Sequence, residues 1–393
     1  MTRPTLVRID DPGTDDSRHI ALLSLGFRPF YLLASAFAAL AVPLWLLSLF
    51  HGPVRFANIN LLWHMHEMVF GFAAAVVVGF LFTAARNWTG LQTPRQGWLA
   101  LFIGFWLAGR LAMLLAPPAW AALCDIIFLP SAMVPLYEVL RRSGNRRNMP
   151  LLGLLALLTI FNLAYHAAML GWSSWPAMRA VEAAILVLTM LSTIMGGRVI
   201  PGFTRNMAPK SKPETNLNRD RVGFGLMAIA SIAWLCEANA ALTTLLCTSA
   251  GVIHLYRLWR WQPQHTVRYP MLWVLHLAYA WIGVGFILLG AAAIGYGSNS
   301  SALHALAIGG MSTLIVGMVT RTALGHTGRP IRAGRAEHLI FCAISLAAIF
   351  RLAANLMPHA YTQVLLCIAA ACWILTFFSY LVVYGPYLCK PRH

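Results

Sequence analysis

Charged residues are scarce in this chain: Asp, Glu, Lys and Arg make up 10% of its 393 residues, and hydrophobic residues make up 59%. Soluble domains carry about 25% charged residues, so the composition excludes an ordinary soluble fold and predicts an integral membrane protein. The formal net charge is +17, but the basic residues lie in short segments between apolar runs. That pattern reports membrane topology and does not indicate a nucleic-acid partner.

The cysteine patterns of many metal and redox proteins are missing as well. Seven cysteines lie in or beside apolar stretches, and none of them forms a CxxC or CxxCH motif. This argues against a zinc site, an iron–sulfur cluster or a covalently attached c-type haem. We expect these cysteines to pack as small hydrophobic side chains.

The apolar stretch of a cleavable signal peptide is also lacking before Phe27, where the chain instead has four aspartates. We expect residues 1–26 to form a cytoplasmic tail. Residues 27–388 are expected to form a single transmembrane domain, and residues 389–393 a second cytoplasmic tail.

Long apolar stretches fill the rest of the sequence. A spanning helix needs about 20 apolar residues, and twelve stretches qualify. They begin near Phe27, Trp63, Gln96, Trp120, Met149, Pro176, Val222, Ala241, Pro270, Ala302, Glu337 and Tyr361. The sequence therefore predicts an all-α membrane protein of twelve transmembrane helices in a lipid bilayer, with neighbouring helices antiparallel.

Basic residues concentrate in the segments that follow the even-numbered helices and in the two tails. The opposite segments offer Arg55, Arg179 and little else. Positive charge marks the cytoplasmic side of a membrane. Both termini are therefore predicted to be cytoplasmic, and the even-numbered helices are predicted to run from the outside to the inside.

The second and tenth predicted helices resemble one another. NWTG at Asn87–Gly90 aligns with GHTG at Gly325–Gly328. The same offset aligns three further pairs: His66 with His304, Gly71 with Gly309, and Gly79 with Gly317. The alternative is chance agreement among small apolar residues. If the repeat is real, groups of four helices recur along the chain, as internal repeats do in many transporters.

Ionisable side chains from several predicted helices fall in the outer half of the membrane. They are His64, His66, Glu67, Arg110, Asp125, His166, Glu182, His304 and Arg351. His276 falls in the inner third of the ninth helix if that helix begins at Pro270, and nearer the middle otherwise. His254 is expected in a basic belt at the inner surface. Ionisable residues are costly inside a bilayer and usually line a site or cavity.

The stretch Leu62–Gly90 contains WHMHEMVFGFAAAVVVGF followed by NWTG, and it closely resembles the signature of the NnrS family. RVIPGFTRN at Arg198–Asn206 and RTALGHTGRP at Arg321–Pro330 resemble two further blocks of that family. The resemblance runs from about Phe27 to the last predicted helix. It implies a multi-pass protein of the bacterial inner membrane that carries non-covalent b-type haem and copper and is tied to nitric oxide metabolism, denitrification or nitrosative stress.

Histidines on facing helices can hold a haem between them. His66 and His304, at matched depth on the repeat-related helices, are expected to do so, with Arg110 and Arg351 receiving the haem propionates. No single spacing among these residues proves a metal site. The two arginines could equally form structural ion pairs with Asp125 and Glu182.

A second centre, of haem or copper, could draw on other histidines. His64 lies two residues from His66, about 200° around a helix, so the two do not easily bind one metal. His64, His166 and His276 are therefore candidates for a second metal, and His64 is equally a candidate hydrogen-bonding partner.

Three functions stay open. The first is a nitric oxide reductase-like oxidoreductase, in which Glu67 and Glu182 deliver protons and a quinol or a periplasmic carrier supplies electrons. Three arcs of four helices are also the plan of the haem–copper oxidases, but this chain lacks the adjacent His-His pair that binds copper in them. The alternatives are a haem protein that binds nitric oxide without turnover and a secondary transporter.

Overall fold

The computed structural model describes residues 20–52 and 58–392, so most of the predicted N-terminal tail lies outside the described residues. Twelve long helices and no strand are present in these two ranges. The helices are α1 (Phe27–His51), α2 (Leu61–Thr89), α3 (Gln96–Leu115), α4 (Pro118–Arg142), α5 (Met149–Met169), α6 (Ala177–Met207), α7 (Leu217–Leu235), α8 (Ala240–Arg260), α9 (Pro270–Ala293), α10 (Asn299–His326), α11 (Arg335–Leu356) and α12 (His359–Cys389).

Ten of the twelve helices in the described part of the chain are long and apolar enough to cross a membrane. The two that fall short are α7 and α8. Charged residues near their predicted inner ends, such as Asp220 and Arg257, make them less apolar. The prediction of an all-α, multi-pass membrane protein is confirmed, whereas a membrane crossing by α7 and α8 stays a prediction.

Helices α2, α6 and α10, which are four helices apart along the chain, lie at the centre of the bundle. In the most apolar 18 residues of each helix, 89% of the residues of α2 and 72% of those of α6 and α10 are buried. The corresponding share is 33% to 61% for the other candidate membrane spans. Small residues let neighbouring helices approach closely. At the α8–α9 crossing, for example, a Cβ on Gly251 would lie 2.5 Å from the carbonyl oxygen of Gly283.

The likeness of α2 and α10 extends to their starts and ends. Asn60 caps α2 by accepting a hydrogen bond from the Trp63 amide (3.0 Å). Ser298, at the equivalent position by the predicted offset, caps α10 through the Ser301 amide (3.1 Å). Past the far ends, Gly90 (φ 68°) and Gly328 (φ 83°) both adopt the left-handed conformation that favours glycine. The structure thus supports a true repeat.

Each of these two helices also contains a π-helical stretch directly after its aligned histidine, at Glu67–Ala73 in α2 and Ala305–Ser312 in α10. A π-helical turn disturbs the regular backbone hydrogen bonds and is frequent at functional sites. In α2 the Gly71 carbonyl accepts a hydrogen bond from the indole of Trp106 (2.8 Å). The backbone irregularities therefore mark the same end of both helices as the ionisable residues do.

Candidate functional site

A cavity of about 450 Å³ lies where α2 and α10 begin, and α1, α6, α11 and α12 complete its wall. This volume is in the range of small-molecule and cofactor sites, about 300–1,000 Å³. Most of the lining is apolar and includes four methionine side chains. Its ionisable lining residues are His64, Glu182, His304 and Arg351.

The two cavity histidines are held in different ways. The Nδ1–H of His304 donates a hydrogen bond to the Ser300 carbonyl (2.7 Å), so its Nε2 carries the lone pair. The ring of His64 stacks on Trp45, with centroids 4.0 Å apart and planes 14° apart. The Nδ1 of His64 is buried and has no hydrogen-bond partner in the part of the chain that the structure describes. His304 is therefore anchored through a hydrogen bond, and His64 mainly through ring stacking.

Arg351 brings a positive charge to the cavity wall without a matching carboxylate. Its Nη2 donates to the Ser300 hydroxyl (3.0 Å). Its Nε and Nη1 are buried, with no hydrogen-bond partner within residues 20–52 and 58–392. Among the described residues, no carboxylate lies within ion-pair distance of this guanidinium. The arrangement suits an anionic group of a bound molecule.

Glu182 connects the cavity with the surface of the bundle. Its Oε2 lies 3.2 Å from Nη1 of Arg179, and Nη2 of the same arginine pairs with the exposed carboxylate of Glu237. The Arg179 guanidinium also lies over the ring of Trp234, 5.1 Å from its centroid. A carboxylate in the cavity is thus joined to a surface carboxylate through one arginine.

A second buried group of polar side chains lies behind α2. Arg110 joins Glu67 (Nη1 to Oε1, 2.5 Å) and Asp125, with which it makes a short contact through Nη2. The Nδ1–H of His66 donates to Glu67 Oε1 (2.9 Å). None of these four side chains is more than 6% exposed. This buried network therefore contains two carboxylates, one guanidinium and one imidazole.

Helix α5 completes the network. The Nε2 of His66 lies 2.9 Å from Asn162 Oδ1 and 3.3 Å from Asp125 Oδ2. Asn162 Nδ2 donates to the same Asp125 oxygen (2.7 Å), and His166 Nε2 lies 3.0 Å from it. Tyr165 packs against the His66 ring at a centroid distance of 4.4 Å. Two imidazoles therefore point at one carboxylate oxygen.

The profile of the NnrS protein family matches residues 21–392, which is nearly the whole chain. The chain belongs to the NnrS family. No curated protein matches it. Family membership links this multi-pass membrane protein with the response to nitric oxide.

The three segments that carry the NnrS resemblance lie in two places. The His64–Glu67 segment of α2 contributes to both the cavity and the buried network. The other two segments meet at the opposite end of the bundle, where the Arg321 guanidinium lies over the ring of Phe203, 3.8 Å from its centroid. Nearby, His276 Nε2 lies 2.8 Å from the Thr204 hydroxyl.

His66 and His304, the two expected haem ligands, lie in different places. His304 lines the cavity, whereas both ring nitrogens of His66 face the buried network, and His66 does not line the cavity. The histidine that shares the cavity with His304 is His64. His64 and His66 therefore face different surroundings, and their roles as ligands stay predictions.

The other residues expected at a haem or metal site do not lie together either. Arg110 pairs with Glu67 and Asp125, which is the ion-pair alternative, and only Arg351 reaches the cavity. Helix α9 begins at Pro270, so His276 lies in the inner third of that helix and joins neither His64 nor His166. The three histidines proposed for a second centre therefore do not converge.

A buried cluster at the predicted inner end corrects another expectation. His254 and the neighbouring Arg257 are fully buried, which corrects the expectation that His254 lies in a basic belt at the inner surface. Arg257 donates through Nε to Asp220 (2.8 Å) and makes a short contact with the Tyr279 hydroxyl. The i, i+3 spacing of His254 and Arg257 places them on one helix face, which was the available sequence signal.

Proposed function

We propose that this NnrS protein is a haem- and copper-containing protein of the bacterial inner membrane that binds nitric oxide at a haem in the cavity between α2 and α10. His64 and His304 are the proposed haem ligands. One observation carries the proposal: imidazoles from two repeat-related helices line a single apolar cavity. The same cavity contains Arg351, which pairs with no carboxylate among the described residues.

The side chains around the cavity fit a haem. Its lining is mostly apolar, and aromatic rings such as Trp45 and Phe72 suit the faces of a porphyrin. Arg351 keeps two donor nitrogens, Nε and Nη1, without a partner among the described residues, and either suits an oxygen of a propionate. His304 has the hydrogen-bond pattern common to metal-bound histidines, with the second ring nitrogen donating to a backbone carbonyl.

The two histidines are proposed to differ in role. The bond from His304 Nδ1 to Ser300 fixes the ring and directs the lone pair to Nε2, so His304 serves as the permanent ligand. Among the described residues, nothing forms a hydrogen bond with His64 Nδ1. His64 would therefore be the less firmly held of the two ligands.

A bound haem supplies an iron that binds nitric oxide and exchanges electrons. In the reductive reaction, two nitric oxide molecules, two protons and two electrons give nitrous oxide and water. Glu182 is the proposed proton donor within the cavity. The exposed Glu237, which pairs with the same Arg179, marks the nearby surface from which protons would reach it. A quinol or a periplasmic carrier would supply the electrons.

The same purified protein distinguishes the proposed function from two alternatives. The repeat and the π-helical stretches beside the cavity also suit a secondary transporter. A transporter purifies without colour, whereas a haem protein shows Soret and visible bands. A haem protein that only binds nitric oxide shows a spectral shift with nitric oxide but forms no nitrous oxide when electrons are supplied.

The test is an absorption spectrum of detergent-purified protein, oxidised and reduced, expressed with ample haem and copper. We expect haem bands that shift when nitric oxide is added to the reduced sample, and nitrous oxide when a chemical reductant is present. A colourless preparation after that expression would refute the haem proposal. His64→Ala and His304→Ala should alter the bands, and His276→Ala, a buried histidine outside the cavity, is the matched control.

A further inference from the structure

The buried network behind α2 contains a histidine nitrogen that faces only acceptor atoms. Since His66 Nδ1–H donates to Glu67, its Nε2 is left facing Asn162 Oδ1 at 2.9 Å and Asp125 Oδ2 at 3.3 Å. The amide of Asn162 cannot be reversed, because its nitrogen donates to Asp125. The space between His66 and these two oxygens therefore requires a proton or a cation.

The charges of the network lead to the same requirement. Glu67 and Asp125 are buried carboxylates, and Arg110 is the guanidinium that pairs with both. With neutral imidazoles, the network carries one net negative charge. A buried uncompensated charge is costly, so one further positive charge is needed beside Asp125.

The same atoms have the spacing of a coordination shell. One ligand atom each from His66, Asp125 and His166 can be chosen so that all three lie within 4.8 Å of one another. The two imidazole nitrogens lie 3.3 Å and 3.0 Å from Asp125 Oδ2. Ligands at 2.0–2.1 Å from a tetrahedral metal are about 3.3 Å apart, so these two distances already suit a bound metal.

The supporting groups of a metal site are also in place. Metal-binding histidines usually donate the second ring nitrogen to a carboxylate or carbonyl group, and Glu67 accepts such a bond from His66. A pocket of about 100 Å³, lined by Asn58, Asn60, Tyr165 and His166 among others, adjoins the network at the same end of the bundle as the cavity. An ion can therefore approach His166 from that pocket.

We infer that His66, Asp125 and His166 form a second metal site, separate from the cavity, that binds one copper ion. Glu67 orients His66, and Arg110 offsets the second carboxylate. Imidazole ligands suit copper, which also has the highest affinity among the divalent first-row metals. The choice of copper rests on the proposed function, whereas the site itself rests on the geometry of the network.

The test is a metal count on purified full-length protein that is treated with a chelator, reloaded with copper alone and then desalted. We expect one tightly held copper per chain in the wild type, lost in His166→Ala and in Asp125→Asn but retained in His276→Ala. Glu67→Gln should weaken copper binding about 10–100-fold, as loss of a supporting carboxylate does. In each variant the haem bands should persist.

Electron paramagnetic resonance of the copper(II) form gives a second measurement that does not depend on variants folding. We expect hyperfine coupling to two imidazole nitrogens in the wild type. A wild type that retains no copper, or copper retained in full by His166→Ala, overturns the site and leaves a protonated His66. Loss of copper in Met68→Leu but not in His166→Ala would also overturn it, by placing the ion in the cavity.

Failure of this site and failure of the haem proposal give different results. Haem bands without copper refute the metal site alone. Copper with two nitrogen ligands in a protein without haem bands refutes the haem proposal alone.

Discussion

His64 and His66 lie two positions apart on α2 and face different sites. The ring of His64 lines the cavity and stacks on Trp45. Both ring nitrogens of His66 face the buried network, through Glu67 on one side and Asn162 on the other. About half a helical turn therefore separates a proposed haem site from a proposed copper site, and changes at the two histidines should have distinct consequences.

Replacing His64 by Ala should keep the haem and change its ligation. His304 remains anchored to Ser300, so the haem is retained while a low-spin signal converts to a high-spin signal. The measurement is the absorption and paramagnetic resonance spectrum of the oxidised protein. An unchanged spectrum would show that His64 is not a ligand.

Arg351→Gln should reduce haem retention about tenfold, since a charged hydrogen bond contributes about 1.5–3 kcal/mol. The measurement is the ratio of haem to protein after purification at a fixed salt concentration. Arg198→Gln is the matched control, because Arg198 lies away from the cavity and bonds to Asn148 (2.5 Å). Equal haem ratios in the two variants would exclude a propionate contact at Arg351.

Arg110→Met should destabilise the fold strongly. It leaves two buried carboxylates without their cation, and breaking such a buried pair costs about 3–5 kcal/mol. Arg142→Met removes the exposed pair with Glu138, whose partners are 69% and 53% exposed, and should cost no more than about 1 kcal/mol. The free energy of unfolding in detergent compares the two. Similar losses would mean that the network contributes little to stability.

Gly71→Ala tests the close packing around the π-helical stretch. A Cβ on Gly71 would lie 2.7 Å from Arg110 Nη1 and 2.8 Å from the ring of Phe37, so overpacking should cost about 1–3 kcal/mol. Gly104 has open space at its Cβ position, and Gly104→Ala should be neutral or slightly stabilising because alanine favours helix. Thermal unfolding in detergent measures both. A Gly71→Ala variant as stable as the wild type would show that the side chains of the network can shift to make room for the added methyl group.

Glu182→Gln should slow nitrous oxide formation about 100-fold, the lower range of general acid contributions, without altering the haem bands. Glu214→Gln is the control, because Glu214 pairs with Arg260 and lies apart from the cavity. Turnover by the two variants is measured with excess reductant. A Glu182→Gln variant as fast as wild type would assign proton delivery to another group.

The hydropathy of the sequence predicts most of the fold. The spacing of its polar residues predicts the arrangement of the site only in part. Apolar runs locate all twelve helices, and the offset between His66 and His304 identifies a repeat that extends to Asn60 and Ser298. The roughly 200° between His64 and His66 places their rings on different sides of α2. Which of them meets His304 depends on the rotation of α2 in the bundle, and sequence spacing does not fix that rotation.

The buried partners of charged side chains are likewise hard to predict. Asn162 and Ser300 are common polar residues with no distinguishing pattern, yet each bonds to a proposed ligand. Arg257 has the sequence context of a solvated inner arginine, but Asp220 and Tyr279 satisfy it inside the bundle. Such pairings arise from packing between distant helices.

The most direct test compares the haem content of His304→Ala with that of His66→Gln, both purified after expression with ample haem. If the cavity holds the haem, His304→Ala loses most of it, and His66→Gln keeps the wild-type haem ratio and bands. Loss of haem in His66→Gln together with wild-type bands in His304→Ala would contradict the assignment of the cavity as the haem site.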